Sequence, residues 1–302
     1  MHDDAPTCAL LTRQHEGQVA GTAPVAAGWV LIEQPGSWGR KSLTSSGLDP
    51  AVGAALDEAS GDEVRVQLVR RPGLNTDRRR TLLRRTVVLA HTGATPWAEQ
   101  LEVDDAQLAA LDPTLAASPT PPGLGMPVAG PLLLVCTHGK RDRCCATYGR
   151  PIADALAALH GDAVWEVSHV GGHRFAGNLV CLPDGAVYGA LRVAHAVRTL
   201  DLHLAGRFEL GHLRGRSGLP RPAQAAEVLV RRQLGLDGHA AVQVGAVSPA
   251  DPADPAGDVS VELVLEGGRR HLATVRQVPT GVSYAMSCDS DDPVDPGRWV
   301  LI

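Results

Sequence analysis

Lysine is nearly missing from this 302-residue chain, with two residues against 26 arginines. Arginine-rich stretches, such as the seven residues between Arg70 and Arg85, therefore carry little weight as a sign of an anionic partner. With a formal net charge of −5 and no aromatics interleaved among those arginines, the balance argues against nucleic acid. Aromatic residues make up only 3% of the chain, so any core is built from Ala, Val and Leu. No apolar run approaches the roughly 18 residues that read as a membrane span. The first twenty residues carry Asp3 and Asp4 and lack the basic opening of a signal peptide. These absences give the expectation of a soluble, cytoplasmic protein without a membrane partner.

Several catalytic signatures are missing too. There is no Cys-x-x-Cys, no Gly-x-Gly-x-x-Gly after a strand and no phosphate loop. Gly215-Arg216-Ser217-Gly218 ends in Leu219 where a nucleophile elbow needs glycine, and no carboxylate pair stands out for glycoside hydrolysis. A non-catalytic role is the expectation.

What is present is a concentration of metal-binding side chains. Six cysteines (Cys8, Cys136, Cys144, Cys145, Cys181, Cys288) are too few for a disulfide scaffold, and three of them fall within ten residues. Cys136 and Cys145 are spaced Cys-x8-Cys, and His169 and His173 follow as His-x3-His with two glycines between them. Thiolate and imidazole together suit zinc, copper or an iron-sulfur cluster rather than magnesium or calcium. The Cys-x8-Cys spacing is long for a small zinc site. Cys144 is open to three readings: a spare thiol, a substitute for Cys145, or a small buried residue. Cys181 reads as core, Cys8 and Cys288 have no companion nearby, and His138 reads as a solvated loop residue.

Pro- and Gly-rich punctuation divides the chain into residues 1–125, 126–206 and 207–302. The first segment predicts strands at 29–32, 64–69, 86–90 and 101–103 with a helix at 48–59, an α/β order. In the second, strand 131–135 runs into Cys136, and a polar loop leads to Cys145. Pro151 is placed at the first turn of a helix over 152–159. Strand 163–167, the histidine loop, a hairpin of strands 179–182 and 187–191 turning at Asp184-Gly185, and a helix at 193–204 complete it. The order β-α-β-β-β-α is that of a thioredoxin-like module. The third segment predicts a helix at 222–234 and strands at 242–247, 259–265 and 271–278, an α+β arrangement. The first two segments share a loose strand-loop-helix opening.

The string Cys136-Thr137-His138-Gly139-Lys140-Arg141-Asp142-Arg143-Cys144-Cys145, then His169-Val170-Gly171-Gly172-His173-Arg174-Phe175-Ala176-Gly177-Asn178, resembles the sucrase/ferredoxin-like family. Trp29-Val30-Leu31-Ile32-Glu33-Gln34-Pro35-Gly36-Ser37-Trp38-Gly39 is similar to its bacterial members. The resemblance implies a thioredoxin-like ferredoxin domain holding one 2Fe-2S cluster through Cys136, Cys145, His169 and His173. It further implies an electron carrier with protein redox partners, a reductase or an acceptor. Two neutral imidazoles in place of two thiolates make the cluster less negative, which raises its potential. A ligand histidine that loses its proton on oxidation makes that potential depend on pH. Zinc binding, or a thioredoxin-like thiol redox enzyme, would use the same Cys and His residues and remains the alternative.

Overall fold

The computed structural model describes residues 6–15, 17–73, 83–254 and 256–302, and Arg78-Arg79-Arg80 lie outside these. Helix α1 (Cys8–Gln14) opens the chain. It is followed by β1 (Gly28–Glu33), α2 (Pro50–Ala59), β2 (Val64–Arg70), β3 (Arg85–His91), β4 (Trp97–Val103), α3 (Asp105–Ala109) and β5 (Met126–Pro127). The middle of the chain supplies β6 (Leu132–Cys136), α4 (Arg143–His160), β7 (Val164–Val167), β8 (Leu179–Leu182), β9 (Ala186–Tyr188) and α5 (Val193–Leu204). Then come β10 (Leu213–Arg216), α6 (Arg221–Leu234), β11 (Val242–Pro249), β12 (Val259–Leu265) and β13 (Arg269–Val278). The chain closes with β14 (Tyr284–Ser287), β15 (Ser290–Val294) and β16 (Arg298–Leu301).

The first ten strands form one mixed sheet in the order β10-β9-β8-β6-β7-β2-β1-β3-β4-β5, so the class is α/β. The sheet continues across the boundary placed near residue 125 and contains a repeat. In the middle segment β6 and β7 are parallel around α4, β8 pairs antiparallel to β6, and β9 antiparallel to β8, the thioredoxin-like order. In the first segment β1 and β2 are parallel around α2, β3 pairs antiparallel to β1, and β4 antiparallel to β3. The two units meet edge to edge through a short antiparallel seam, Val69 opposite Val167 and Arg70 opposite Glu166.

Polar groups reinforce that seam. Arg70 Nε donates to Glu166 at 2.6 Å, both side chains being buried, and Arg70 Nη1 donates to the Gly36 carbonyl at 2.5 Å. Thr137 Oγ1 donates to the same Glu166 carboxylate at 3.1 Å. A buried ion pair needs such extra bonds, because two desolvated charges repay their dehydration only when their other hydrogen-bonding sites are filled. One face of the sheet carries an apolar cluster drawn from both units, including Trp29, Leu31, Val69, Leu134, Val167 and Val180. On the other face Ile152 and Leu156 of α4 and Leu200 of α5 cover the middle unit.

Helix α4 differs from the sequence expectation. It begins at Arg143, takes in both Cys144 and Cys145, and carries Pro151 in its interior rather than at its first turn. The Asp142 side chain accepts the Cys144 backbone N–H at 2.9 Å and starts the helix, as a good N-cap does. Gly149 lets α4 lie against the end of β6: a Cβ there would stand 2.0 Å from the Cys136 carbonyl oxygen.

Beyond the large sheet, which takes its edge strand β10 from the third segment, α6 packs on a four-stranded antiparallel sheet, β11-β12-β13-β16. Arg231, fully buried on α6, pairs with Glu227 at 3.0 Å and donates to the carbonyls of Leu236, Gly238, His239 and Val242, tying the helix to β11. Strands β14 and β15 form a separate hairpin. Among the described residues no helix is long and apolar enough to cross a membrane.

Candidate metal centre

Three of the four residues singled out by spacing converge. Cys136 ends β6, Cys145 lies in the first turn of α4, and His169 follows β7, so the parallel β6-α4-β7 unit brings all three to one end of the sheet. One ligand atom from each lies within 4.8 Å of the others. Cys145 Sγ is 3.7 Å from His169 Nδ1. The His173 ring stands edge-on to that of His169, with centroids 5.3 Å apart. Its Nδ1 is 2.6 Å from Asp142 Oδ2.

The histidine loop is held from below. Gly172 sits in the left-handed region at φ 73°, and an added Cβ would lie 2.3 Å from the Arg214 guanidinium. Asn178 Nδ2 donates to the Gly172 carbonyl at 3.0 Å. Arg214 donates to the Gly171 carbonyl at 3.2 Å and to Asn178 Oδ1 at 2.9 Å, and Nε reaches Thr22 Oγ1 at 3.1 Å. Burial pushes the Arg214 guanidinium down to about 9. His138, expected in solvent, is instead 3% exposed. Its Nε2 donates to the Gly39 carbonyl at 2.7 Å and its Nδ1 accepts the His169 N–H at 3.3 Å, which requires the neutral ring. Burial lowers its pKa in agreement with that assignment. The loop 34–39 of the first unit thus braces the histidine loop of the second.

The electrostatics favour a single thiolate, shared through a hydrogen bond, at this place. A hydrogen bond from Cys145 holds the Cys136 thiol well below its usual range against the opposing effect of burial, with His169 and the Val170 N–H adding to it. Cys145, also at the positive end of α4, is pushed up as the thiol that donates. Asp142 is pushed up by burial, but the hydrogen bonds from His173 and from the Cys288 and Cys144 N–H groups outweigh this and hold it well below the usual carboxylate range.

A second grouping was not legible in the sequence. Cys144 turns away from Cys145 and meets Cys8 and Cys288, with Asp142 beside them. Cys181, as expected, is a buried core residue on β8. A third grouping, Asp184, His203 and His239, lies elsewhere. There His203 Nε2 is 3.2 Å from Asp184 and its Nδ1 3.1 Å from the Tyr188 hydroxyl, and burial lowers its pKa to about 4.

The model of the sucrase/ferredoxin-like family matches residues 19–214, which contain Cys136, Cys145, His169 and His173. The chain belongs to the sucrase/ferredoxin-like family. Among curated proteins it is similar to altered inheritance of mitochondria protein 32 of Eremothecium gossypii, 42% identical over 59 residues. That stretch is 18% of this chain and 19% of the relative's length, so the chain spans about a fifth of the protein it matches. No solved structure matches the chain.

Proposed function

We propose that this family member is an electron carrier that holds one 2Fe-2S cluster through Cys136, Cys145, His169 and His173. The observation that carries the reading is the convergence of two thiols and an imidazole at the end of one βαβ unit, with a second imidazole beside them. A donor set of two sulfurs and two nitrogens suits an iron-sulfur centre. When bound, the cluster supplies reversible one-electron uptake and release. The residues of the chain set its surroundings. Asp142 on His173 Nδ1 fixes the ring's tautomer and leaves Nε2 for coordination, the carboxylate–histidine–metal arrangement. His138 fixes the backbone at His169, and Arg214 fixes it at Gly171, between the two histidines. His169 and His173 are both part-exposed, which offers electrons and protons a way in from solvent. The partners are redox proteins, a reductase on one side and an acceptor on the other, and the setting is the cytoplasm. The related protein's name refers to mitochondria, which concerns that protein.

One observation favours a second reading. Three donor atoms within 4.8 Å of one another also match what a single zinc ion gathers. Anaerobic purification with iron and acid-labile sulfide analysis separates the two. A brown protein with iron and sulfide in equal amounts supports the cluster. Zinc alone, in a colourless protein that loses it on changing Cys136, replaces it with a redox-silent site. A colourless, metal-free protein whose Cys136 and Cys145 react with thiol reagents would point to thiol redox chemistry.

A further inference from the structure

Three cysteines that the proposed cluster does not use come together from the two ends and the middle of the chain. Cys8 is the first residue of α1, Cys144 lies in the first turn of α4, and Cys288 sits at the bend between β14 and β15. Their Sγ atoms are 3.4 Å apart for Cys8 and Cys144, 3.2 Å for Cys144 and Cys288, and 3.6 Å for Cys8 and Cys288. All three are free, and Cys8 and Cys144 are buried. A disulfide would use two of them at a separation of about 2 Å and leave the third without a purpose. A closed triangle has another explanation. Thiolates at about 2.3 Å from one tetrahedral ion stand roughly 3.8 Å from each other, close to the edges seen here.

The surroundings are built for such an ion. Asp142 places both carboxylate oxygens 3.9–4.0 Å from Cys8 Sγ. It also accepts the Cys288 N–H at 2.9 Å and the Ser287 hydroxyl at 3.2 Å, so one buried carboxylate orients two of the three cysteine-bearing segments. The hairpin that carries Cys288 is two-stranded, a unit that is marginal by itself and gains from being pinned. A link among residues 8, 144 and 288 closes two long loops at once, and the cost of closure rises only slowly with loop length.

We propose that Cys8, Cys144 and Cys288 are the thiolate ligands of a second metal site, which takes a single thiolate-binding divalent ion of the zinc type, with Asp142 the nearest oxygen donor. Binding displaces the thiol protons and pins α1 and the β14–β15 hairpin to the start of α4. The site is redox-silent and stands whether or not Cys136, Cys145, His169 and His173 hold a cluster.

The test is metal analysis of the full chain produced with both iron and zinc supplied, combined with X-ray absorption at the zinc edge. The wild type should carry about one zinc per chain, with three sulfur neighbours at about 2.3 Å. Cys8→Ala and Cys288→Ala should each lose that zinc and keep the iron and the visible absorption, whereas Cys136→Ala should lose iron and keep zinc. Cys288, part-exposed at a hairpin bend, is the variant to rely on if Cys8→Ala does not fold. A wild type without zinc, zinc that survives Cys288→Ala, or a Cys144–Cys288 disulfide in the non-reduced protein overturns the proposal. Zinc in three-sulfur coordination without any iron supports this site while sinking the electron-carrier reading.

Discussion

Asp142 is the residue on which both proposed metal sites lean, and removing its charge should cost far more than an ordinary polar substitution. One oxygen accepts the Cys144 N–H at 2.9 Å, and the other faces the Cys288 N–H at 2.9 Å, the Ser287 hydroxyl at 3.2 Å and His173 Nδ1 at 2.6 Å. Loss of a helix N-cap costs about 1 kcal/mol. A hydrogen bond to a charged acceptor contributes about 1.5–3 kcal/mol, and a buried donor left without a partner keeps its desolvation penalty. Asp142→Ala is therefore expected to lose about 3–5 kcal/mol, the contributions being less than additive within one network. Asp142→Asn is not a benign control. Whichever way the amide turns, its NH2 faces backbone or imidazole donors where an acceptor is needed, so about 2–3 kcal/mol should still be lost. Urea unfolding followed by far-UV circular dichroism measures both, and iron content in the same samples reports whether His173 keeps its place. An Asp142→Asn protein within about 0.5 kcal/mol of wild type, the range of neutral surface changes, would refute the network's role.

Other consequences follow from single contacts. His173→Cys should keep a cluster and lower its potential, since a thiolate adds negative charge where a neutral imidazole stood; redox titration with the wild type alongside reads the shift, and an unchanged or raised potential would exclude His173 as a ligand. Gly149→Ala forces a methyl to within 2.0 Å of the Cys136 carbonyl and should destabilise by about 2–3 kcal/mol in urea unfolding, with Cys136 displaced. His203 supplies a pH dependence away from the two proposed metal sites. Burial lowers its pKa from 6.5 to about 4, so the unfolded chain takes up the proton first as pH falls. Its share of the stability is whole above about pH 6.5 and is lost, up to about 3 kcal/mol, on descending to about pH 4. His203→Gln should flatten that part of a stability-against-pH curve, and an unflattened curve would show that another group is responsible.

The strand order of the middle segment was readable because short apolar runs, each bounded by glycine, proline or a turn, lie at the spacing of a βαβ unit followed by a hairpin. Strands β8 and β12 and helix α5 begin and end where the pattern places them. The start of α4 was hidden by Gly149 and Pro151, which look like a break. In the folded chain Gly149 is there for its contact with Cys136, and the Asp142 cap seven residues earlier sets the helix. The fusion of two units into one sheet rests on two residue pairs between β2 and β7, too few to leave a periodic trace. At the site, Cys136, Cys145 and His169 were legible because a single loop and a single turn carry them. Cys8 and Cys288 were not, since 280 residues separate them and only the packing of α1 against β14 and the turn at 173–175, beside Cys144, makes them neighbours. His138 looks solvent-facing in the sequence for a related reason: what buries it is loop 34–39 of the other unit, with Gly39 lying 99 residues away.

The central claim is best tested by electron paramagnetic resonance of the anaerobically purified, dithionite-reduced protein together with its Cys136→Ala and His169→Ala variants. A rhombic signal from one reduced 2Fe-2S cluster per chain is expected, lost or strongly altered in both variants. An iron-free protein, or a signal untouched by either substitution, would contradict it.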